Sequence, residues 1–352
     1  MREAGCVGCP PLNVVGTVAR AFGALFFACA FQQQLMASLY IAALVVALAC
    51  YAIHRAALPR VEDALAAEVI LGVDGERGDG DNAAPLPPAF AHRGGGHDAP
   101  ENTLAAIREA KRNNASGIEF DLSFTHDSVA VLFHDETLER TTNGEGPLAS
   151  ITFEDLRKLD AASKHPFAER FADERVPTLE EGVEECLRLG LRLILDVKEY
   201  DHRAVALVDE LFRKRPELYR RALVASFYPQ FIYALRRQNP GIVTALTWRP
   251  GFVAYEDIEN LRPRFKSSYT KHLLARVGDW VLDRALHGGL LPYLTGASAV
   301  LICKNVLSAE YVRSWRDQGL HVLAWTPNHP AEKEFLRKVL RVPIITDTLR
   351  HA

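Results

Sequence analysis

Charge is missing from one long stretch of this chain. Between Ala21 and Ile53 there is no charged residue. Cysteine is scarce elsewhere: of six, only Cys186 and Cys303 lie beyond the first fifty residues. Two widely separated thiols exclude a disulfide-stapled scaffold. Cys6 and Cys9 form a CxxC, but no second pair follows at zinc-site spacing, which argues against a structural zinc. A formal net charge of −3 over 352 residues leaves no basic excess to draw the chain to nucleic acid. With 48% hydrophobic and 24% charged residues, the composition excludes a mainly disordered chain.

Three regions differ in composition. The uncharged segment Leu35–Ile53 ("LMASLYIAALVVALACYAI") is about the length needed to cross a bilayer. It predicts one transmembrane helix within an N-terminal region 1–55, with 21–31 as an interfacial lead-in before Gln32, Gln33 and Gln34. It starts too late and runs too long for a cleaved signal peptide. Arg2 and Arg20 precede it and Arg55 and Arg60 follow, so loop charge does not orient it. Cys50 at its end is a candidate acylation site. Residues 56–88, with "VDGERGDGDNAAPLPP", read as a juxtamembrane helix and linker.

From residue 89 to 352, strand-like and helix-like segments alternate. Strands are predicted at 89–93, 117–122, 129–134, 192–197, 222–227, 242–247, 299–303, 321–325 and 343–346. Segments such as "TLAAIREAKRN" and "TLEEGVEECLRLG" between them have helical periodicity. Repeating βα units imply a parallel sheet, and eight can close into a TIM (β/α)8 barrel. Nine strands are one too many. The turn before 129–134 is too short for a crossover helix, so 117–134 is expected to be a hairpin above the barrel rim. An apolar insertion at about 250–297 breaks the rhythm before the sixth barrel strand.

In such a barrel, chemistry sits at the carboxyl ends of the strands. His92 and Arg93 end the first. Glu119 and Asp121, two residues apart on the second, face the same way, as do Asp196 and Lys198 on the third. Folding the hairpin about Asp127 brings His134 level with Glu119 and Phe120. Each residue alone has a plain structural role: a rim histidine, a strand-end ion pair, or a helix N-cap for Asn102. Together they converge on one rim. Two carboxylates so close on a buried strand repel unless a cation lies between them. An all-oxygen donor set favours one divalent cation, Mg²⁺ ahead of Ca²⁺. Arg93 and Lys198 suit a phosphate, and two histidines suit base and acid at phosphorus. Trp325, beside Thr326 and Asn328 at a strand end, suits a ligand platform.

The motifs "AHRGGGHDAPENT", "GIEFDLSFTHDSVAVLFHDETLERTT", "LILDVK", "ALTWRP" and "AWTPN…IITD" resemble the glycerophosphodiester phosphodiesterase family, and within it the membrane-bound subgroup. The resemblance covers about 90–350. It implies a phospholipase-C-like TIM barrel that hydrolyses glycerophosphodiesters, such as glycerophosphoinositol or glycerophospho-N-acylethanolamine, to sn-glycerol 3-phosphate and an alcohol. It implies a cation on Glu119, Asp121 and Asp196, and His92 and His134 as acid and base. Arg93, Lys198, Asn102 and Trp325 are then the substrate-binding candidates, with Trp325 walling the glycerol site. Asp196 stands where many members carry Glu.

Charges at Arg276, Asp279, Asp283 and Arg284 argue against a second membrane span in the insertion, which is expected to form an interfacial hairpin in one leaflet. Asn114-Ala115-Ser116 is a glycosylation sequon that, if used, puts the barrel on the lumenal or extracellular side. Two rival readings are a lysophospholipase D acting on lipid in the membrane, and a catalytically silent membrane interaction protein.

Overall fold

The computed structural model describes residues 14–72, 85–198, 202–257 and 260–350. The Cys6/Cys9 pair and most of the acidic linker lie outside the described residues. The chain divides into two compact units, Met1–Ala56 and Ala57–Ala352.

In the first unit, helix α1 (Val14–Ala56) is continuous. The three glutamines interrupt the hydropathy but not the helix, because Gln is itself a good helix former. The lead-in and the expected span are therefore one element. Phe22–Ala56 is, among the described residues, the one helix long and apolar enough to cross a membrane. Its large side chains, Phe26, Leu44 and Tyr51 among them, are exposed.

The second unit is built around a closed parallel barrel. Its strands are β1 (Ala89–His92), β2 (Gly117–Phe124), β4 (Arg192–Val197), β5 (Ala222–Ser226), β6 (Val243–Trp248), β7 (Ala299–Cys303), β8 (His321–Trp325) and β9 (Ile344–Thr346). Neighbours pair in that order, and β1 closes on both β2 and β9. The ninth strand, β3 (Ala130–Leu132), pairs antiparallel with the top of β2. Phe124 faces Ala130 and Leu122 faces Leu132, so the fold centres on Asp127 as the hairpin reading requires.

Helices α3 (Leu104–Arg112), α4 (Phe153–Leu156), α5 (Leu179–Arg188), α6 (His202–Lys214), α7 (Pro229–Gln238), α10 (Ala309–Asp317) and α11 (Pro330–Glu334) fill the connections. Local chemistry starts several of them. Thr178 and Glu181 form a capping box on α5. Ser308 caps α10. Phe90, Ile194, Leu223, Val243, Leu301 and Leu323 point into the barrel and fill it.

Helix α2 (Asp63–Leu71), read from the sequence as juxtamembrane, packs with that interior. Its Ala66, Val69 and Ile70 are buried in the same apolar cluster. Arg192 Nη1 donates to Ile70 O at 3.0 Å, and Arg60 Nη1 to Gln318 O and Gly319 O. An apolar i, i+3, i+4 face over the bottom of a barrel is the reason.

The insertion between β6 and β7, the sixth barrel strand, is α8 (Tyr269–His287) and, across Gly288-Gly289, α9 (Leu290–Thr295). Among its side chains, Ala275 and Leu286 are buried, while Leu273, Leu274, Val277, Trp280 and Val281 are exposed.

Candidate active site

Backbone geometry aims the first residues. β1 stops at His92, and Arg93 takes a left-handed φ of 54°. The turn is closed by Gly95 N–H to His92 O at 2.8 Å. Gly94 has φ 84°, and a Cβ there would lie 2.6 Å from Ala106 Cβ of α3. Glycine is required here by the turn and by α3, not only by room for a ligand. Arg93 thus sits just past the strand, with its N–H on Glu119 Oε2 at 2.9 Å.

Sheet register assembles the acids. His92 is level with Glu119, and Asp121 with Asp196. Ligand atoms of Glu119, Asp121 and Asp196 lie within 4.8 Å of one another, and all three residues are buried. Lys198 Nζ reaches Asp121 Oδ1 at 2.9 Å and Asp196 Oδ2 at 2.5 Å. Arg93 Nε lies 3.4 Å from Asp121 Oδ2, and its Nη1 donates to Glu101 Oε1 at 3.0 Å. Burial raises Glu119 well above the usual carboxylate range, and Asp121 and Asp196 add to the effect. Burial opposes ionisation of Asp121 too, but Lys198 and Arg93 outweigh it and keep its pKa low. Burial alone would lower Lys198; Asp121 and Asp196 reverse that and hold it above the usual lysine value.

Each histidine is held by a carboxylate. His92 Nδ1 lies 2.5 Å from Asp347 Oδ1, and Asp347 Oδ2 accepts from Asn328 Nδ2 at 2.6 Å. His134 Nδ1 lies 2.6 Å from Asp135 Oδ1. Arg140 forks between Asp135 and Glu101. A carboxylate at each Nδ1 directs the opposite ring nitrogen, Nε2, away from its own partner as the atom open to a reacting group. The His92 Nε2 atom is 3.8 Å from Glu119 Oε2. Both rings, Glu119, Asp196, Arg93 and Lys198 line one cleft of about 1060 Å³, with Asp121 buried behind them and Trp325 and Phe227 on its wall. Trp325 Nε1 donates to Leu301 O at 3.1 Å, and its ring meets Phe227 edge-on.

One expected role changes. The N-cap of α3 is Thr103, whose Oγ1 accepts from Ala106 N–H. Asn102 is instead turned at φ 57°, donates Nδ2–H to Asp121 Oδ2 at 2.9 Å and accepts Asp121 N–H at 3.2 Å. It braces a carboxylate of the acidic group. Sequence reasoning gave no site role to Asp347, Asn328, Glu101 or Arg140, although all four fall within the quoted motifs. The adjacency in "HDET" hinted at Asp135, but Asp347 lies 255 residues from His92, a pairing that only barrel closure creates.

Residues 92–351 match the glycerophosphoryl diester phosphodiesterase family. The chain belongs to that family. It is 42% identical over 261 residues to human glycerophosphodiester phosphodiesterase 1, covering 74% of this chain and 78% of that protein. The mouse protein of the same name is 43% identical over the same shares. Among solved structures, an Oleispira antarctica phosphodiesterase in complex with the product sn-glycerol-3-phosphate aligns with TM-score 0.59 at 23% identity, over 76% of this chain and 95% of that one. A Silicibacter pomeroyi protein described as a glycerophosphoryl diester phosphodiesterase aligns with TM-score 0.60 at 22% identity, over 82% and 95%. At those identities they show the shared barrel. The phosphodiesterase family match begins at His92 itself and takes in every site residue named above.

The acidic group of this phosphodiesterase barrel fits a divalent cation. Asp196 Oδ1 is buried without a hydrogen-bond donor, and Asp121 Oδ1 meets only the Lys198 ammonium at 2.9 Å. Three buried carboxylates face one ammonium and the Arg93 guanidinium, which Glu101 shares, so with all three ionised a net negative charge remains that an ion would neutralise.

Proposed function

We propose that the chain hydrolyses glycerophosphodiesters to sn-glycerol 3-phosphate and an alcohol, with His92 and His134 as the acid/base pair. The observation that carries this reading is the meeting, in one cleft, of two carboxylate-held imidazoles with a buried acidic triad. Glu119, Asp121 and Asp196 would hold one divalent cation, Mg²⁺ in preference to Ca²⁺, whose contribution when bound is to neutralise phosphoryl charge. Arg93 and Lys198 bind phosphoryl oxygens, and Trp325 walls the glycerol. Asn102 fixes Asp121. One imidazole takes the proton of the attacking oxygen through Nε2. The other starts as the imidazolium and gives its Nε2 proton to the departing alkoxide as the P–O bond to the alcohol breaks. Asp347 and Asp135 keep each ring in the tautomer that exposes Nε2 and stabilise the imidazolium.

A catalytically silent role is disfavoured, because no member of the acid, base and acidic set is missing. Glycerophosphoinositol and glycerophospho-N-acylethanolamine are the substrates of choice for assay. His92→Ala is expected to lower kcat by about 10²–10⁴ while leaving thermal stability and cation binding near wild type. Near-wild-type turnover in that variant would refute the assignment.

The helix Phe22–Ala56 is read as a membrane anchor, and the exposed apolar side of α8 as lying in the interface of a bilayer. Asn114, exposed in a turn after α3, is available for glycosylation on the lumenal or extracellular side. Protease and glycosylation mapping is expected to put residues 120 and 350 on one side of the membrane; opposite sides would overturn this topology.

A further inference from the structure

Phe227 and Phe252 stack with ring centroids 4.4 Å apart and planes within 9°. They form a partition. On one side is the catalytic cleft, where Phe227 meets Trp325 at 5.7 Å. On the other is a second chamber of about 380 Å³, between the outer face of β6 and helix α8. Leu246, Trp248, Trp280, Leu282, Leu286 and Leu291 give it an apolar lining. Both phenylalanines, Thr247 and Arg249 line the two spaces at once.

The partition is built in place by α8. The Asp279 carboxylate accepts the N–H groups of Val253 and Ala254 at 2.8 and 2.9 Å, pinning the loop that carries Phe252. Asp279 is thereby satisfied within the protein, and Asp283, the other carboxylate of the lining, lies 3.1 Å from His287 Nδ1, which leaves the rest of the chamber wall mainly apolar. Thr247, at the junction, is only 8% exposed, and its Oγ1 is buried without a partner. A native protein rarely leaves such a hydroxyl unmet, and a polar group entering from the cleft would satisfy it. An apolar space beside a reaction cleft, with a polar atom at the threshold, suits a ligand that is polar at one end and hydrocarbon at the other.

We infer that this chamber is a subsite for a single hydrocarbon chain carried by the phosphodiester substrate. The inference rests on the phosphodiesterase reading and adds to it the place where the chain of an acylated substrate lies. The chain leaves the polar cleft past Phe252, and its methylenes replace water against the leucines and tryptophans under α8.

The test uses the full-length protein with monomeric substrates in three arms. These are glycerophosphoethanolamine without a chain, its N-acyl derivatives of increasing chain length, and 1-acyl lysophosphatidylethanolamines of the same lengths. The expected result is a kcat/KM that climbs with chain length in at least one acylated arm. The rise is at most about fourfold per methylene, the equivalent of ~0.8 kcal/mol, and then levels off. A gain in the N-acyl arm puts the chain on the leaving alcohol, and a gain in the lysophospholipid arm puts it on glycerol; either supports the subsite. Leu282→Trp and Leu291→Phe, made separately to fill the chamber, are each expected to cut the chain-length gain by about tenfold or more, roughly two methylenes of burial. Both positions are half-buried, and thermal melts identify a variant that fails to fold. A flat chain-length series in both acylated arms overturns the subsite without needing any variant. So does a gain that survives intact in a folded, filled variant. If glycerophosphoethanolamine is turned over but chains add nothing, the subsite alone falls. If glycerophosphoinositol is turned over and none of the three arms is, the subsite alone falls; if glycerophosphoinositol fails as well, the phosphodiesterase reading falls with it.

Discussion

His92 and Asp347 come from the first and last strands of the barrel, and the 2.5 Å contact between them is made at its seam. Burial alone would raise Asp347, but its hydrogen bond from His92 and the charge there hold its pKa below the usual carboxylate range. The shift favours the Asp347 anion, and in the proposed mechanism it acts on the substrate only through the ring it orients. Asp347→Asn keeps the shape and removes the charge that fixes the tautomer. It is expected to lower kcat by about 10² to 10⁴ with a small change in KM, as tautomer loss does in other carboxylate–histidine pairs. The pH–rate profile should shift as well, a readout that loss of packing alone does not move. An unchanged kcat and profile would remove Asp347 from the proposed machinery.

At the scale of elements, most of the framework was legible because short-range physics sets it. Six-residue β4 and five-residue β7 and β8 fall where the apolar runs predict. The β2–β3 hairpin follows from a turn too short for a helix. The edges differ by a residue or two, as at β1, where the left-handed turn removes Arg93 from the strand. Side-chain bonds between helices were not legible. Glu185 on α5 accepts from Arg108 on α3 at 2.6 Å and from Arg188 at 2.8 Å. The Arg188 hydrogen bond is the largest cause of a Glu185 pKa lowered to about 2; burial opposes it and Arg108 adds to it. A carboxylate with a depressed folded-state pKa stabilises above its unfolded value and loses that contribution as pH falls through the folded one. Glu185→Gln is therefore expected to lower Tm near neutral pH. The difference from wild type should shrink between pH 4.5 and about 2. A Tm difference independent of pH would mean the ion pairs are not its source.

For the whole molecule, the unit boundary at residues 56 and 57 puts α2 with the barrel. Its Val69 and Ile70 plug the interior cluster, each worth about 1.5–3 kcal/mol of burial. Removal of residues 1–56 is expected to leave a folded barrel that hydrolyses water-soluble diesters. Extending the deletion through residue 72 should cost about 3–6 kcal/mol of stability, visible as a lower denaturation midpoint. Equal midpoints for the two truncations would show that α2 is not a structural plug.

The sequence by itself determined the barrel, the charge-free N-terminal segment and the residue types at the strand ends. Those depend on periodicity, turn length and hydropathy, all of which are local in the chain. It also carried the convergence of His92, His134, Glu119, Asp121 and Asp196, since alternation along a strand and the carboxyl-end rule suffice to put them on one rim. Only the tertiary structure decided which groups brace them: Asp347 on His92, Asn102 on Asp121, and Arg140 between Asp135 and Glu101. The same holds for the packing of α2 under the barrel and the apolar chamber behind Phe252. These are contacts between segments far apart in sequence, set by how the closed sheet and its covering helices bring side chains together, and no local pattern encodes them.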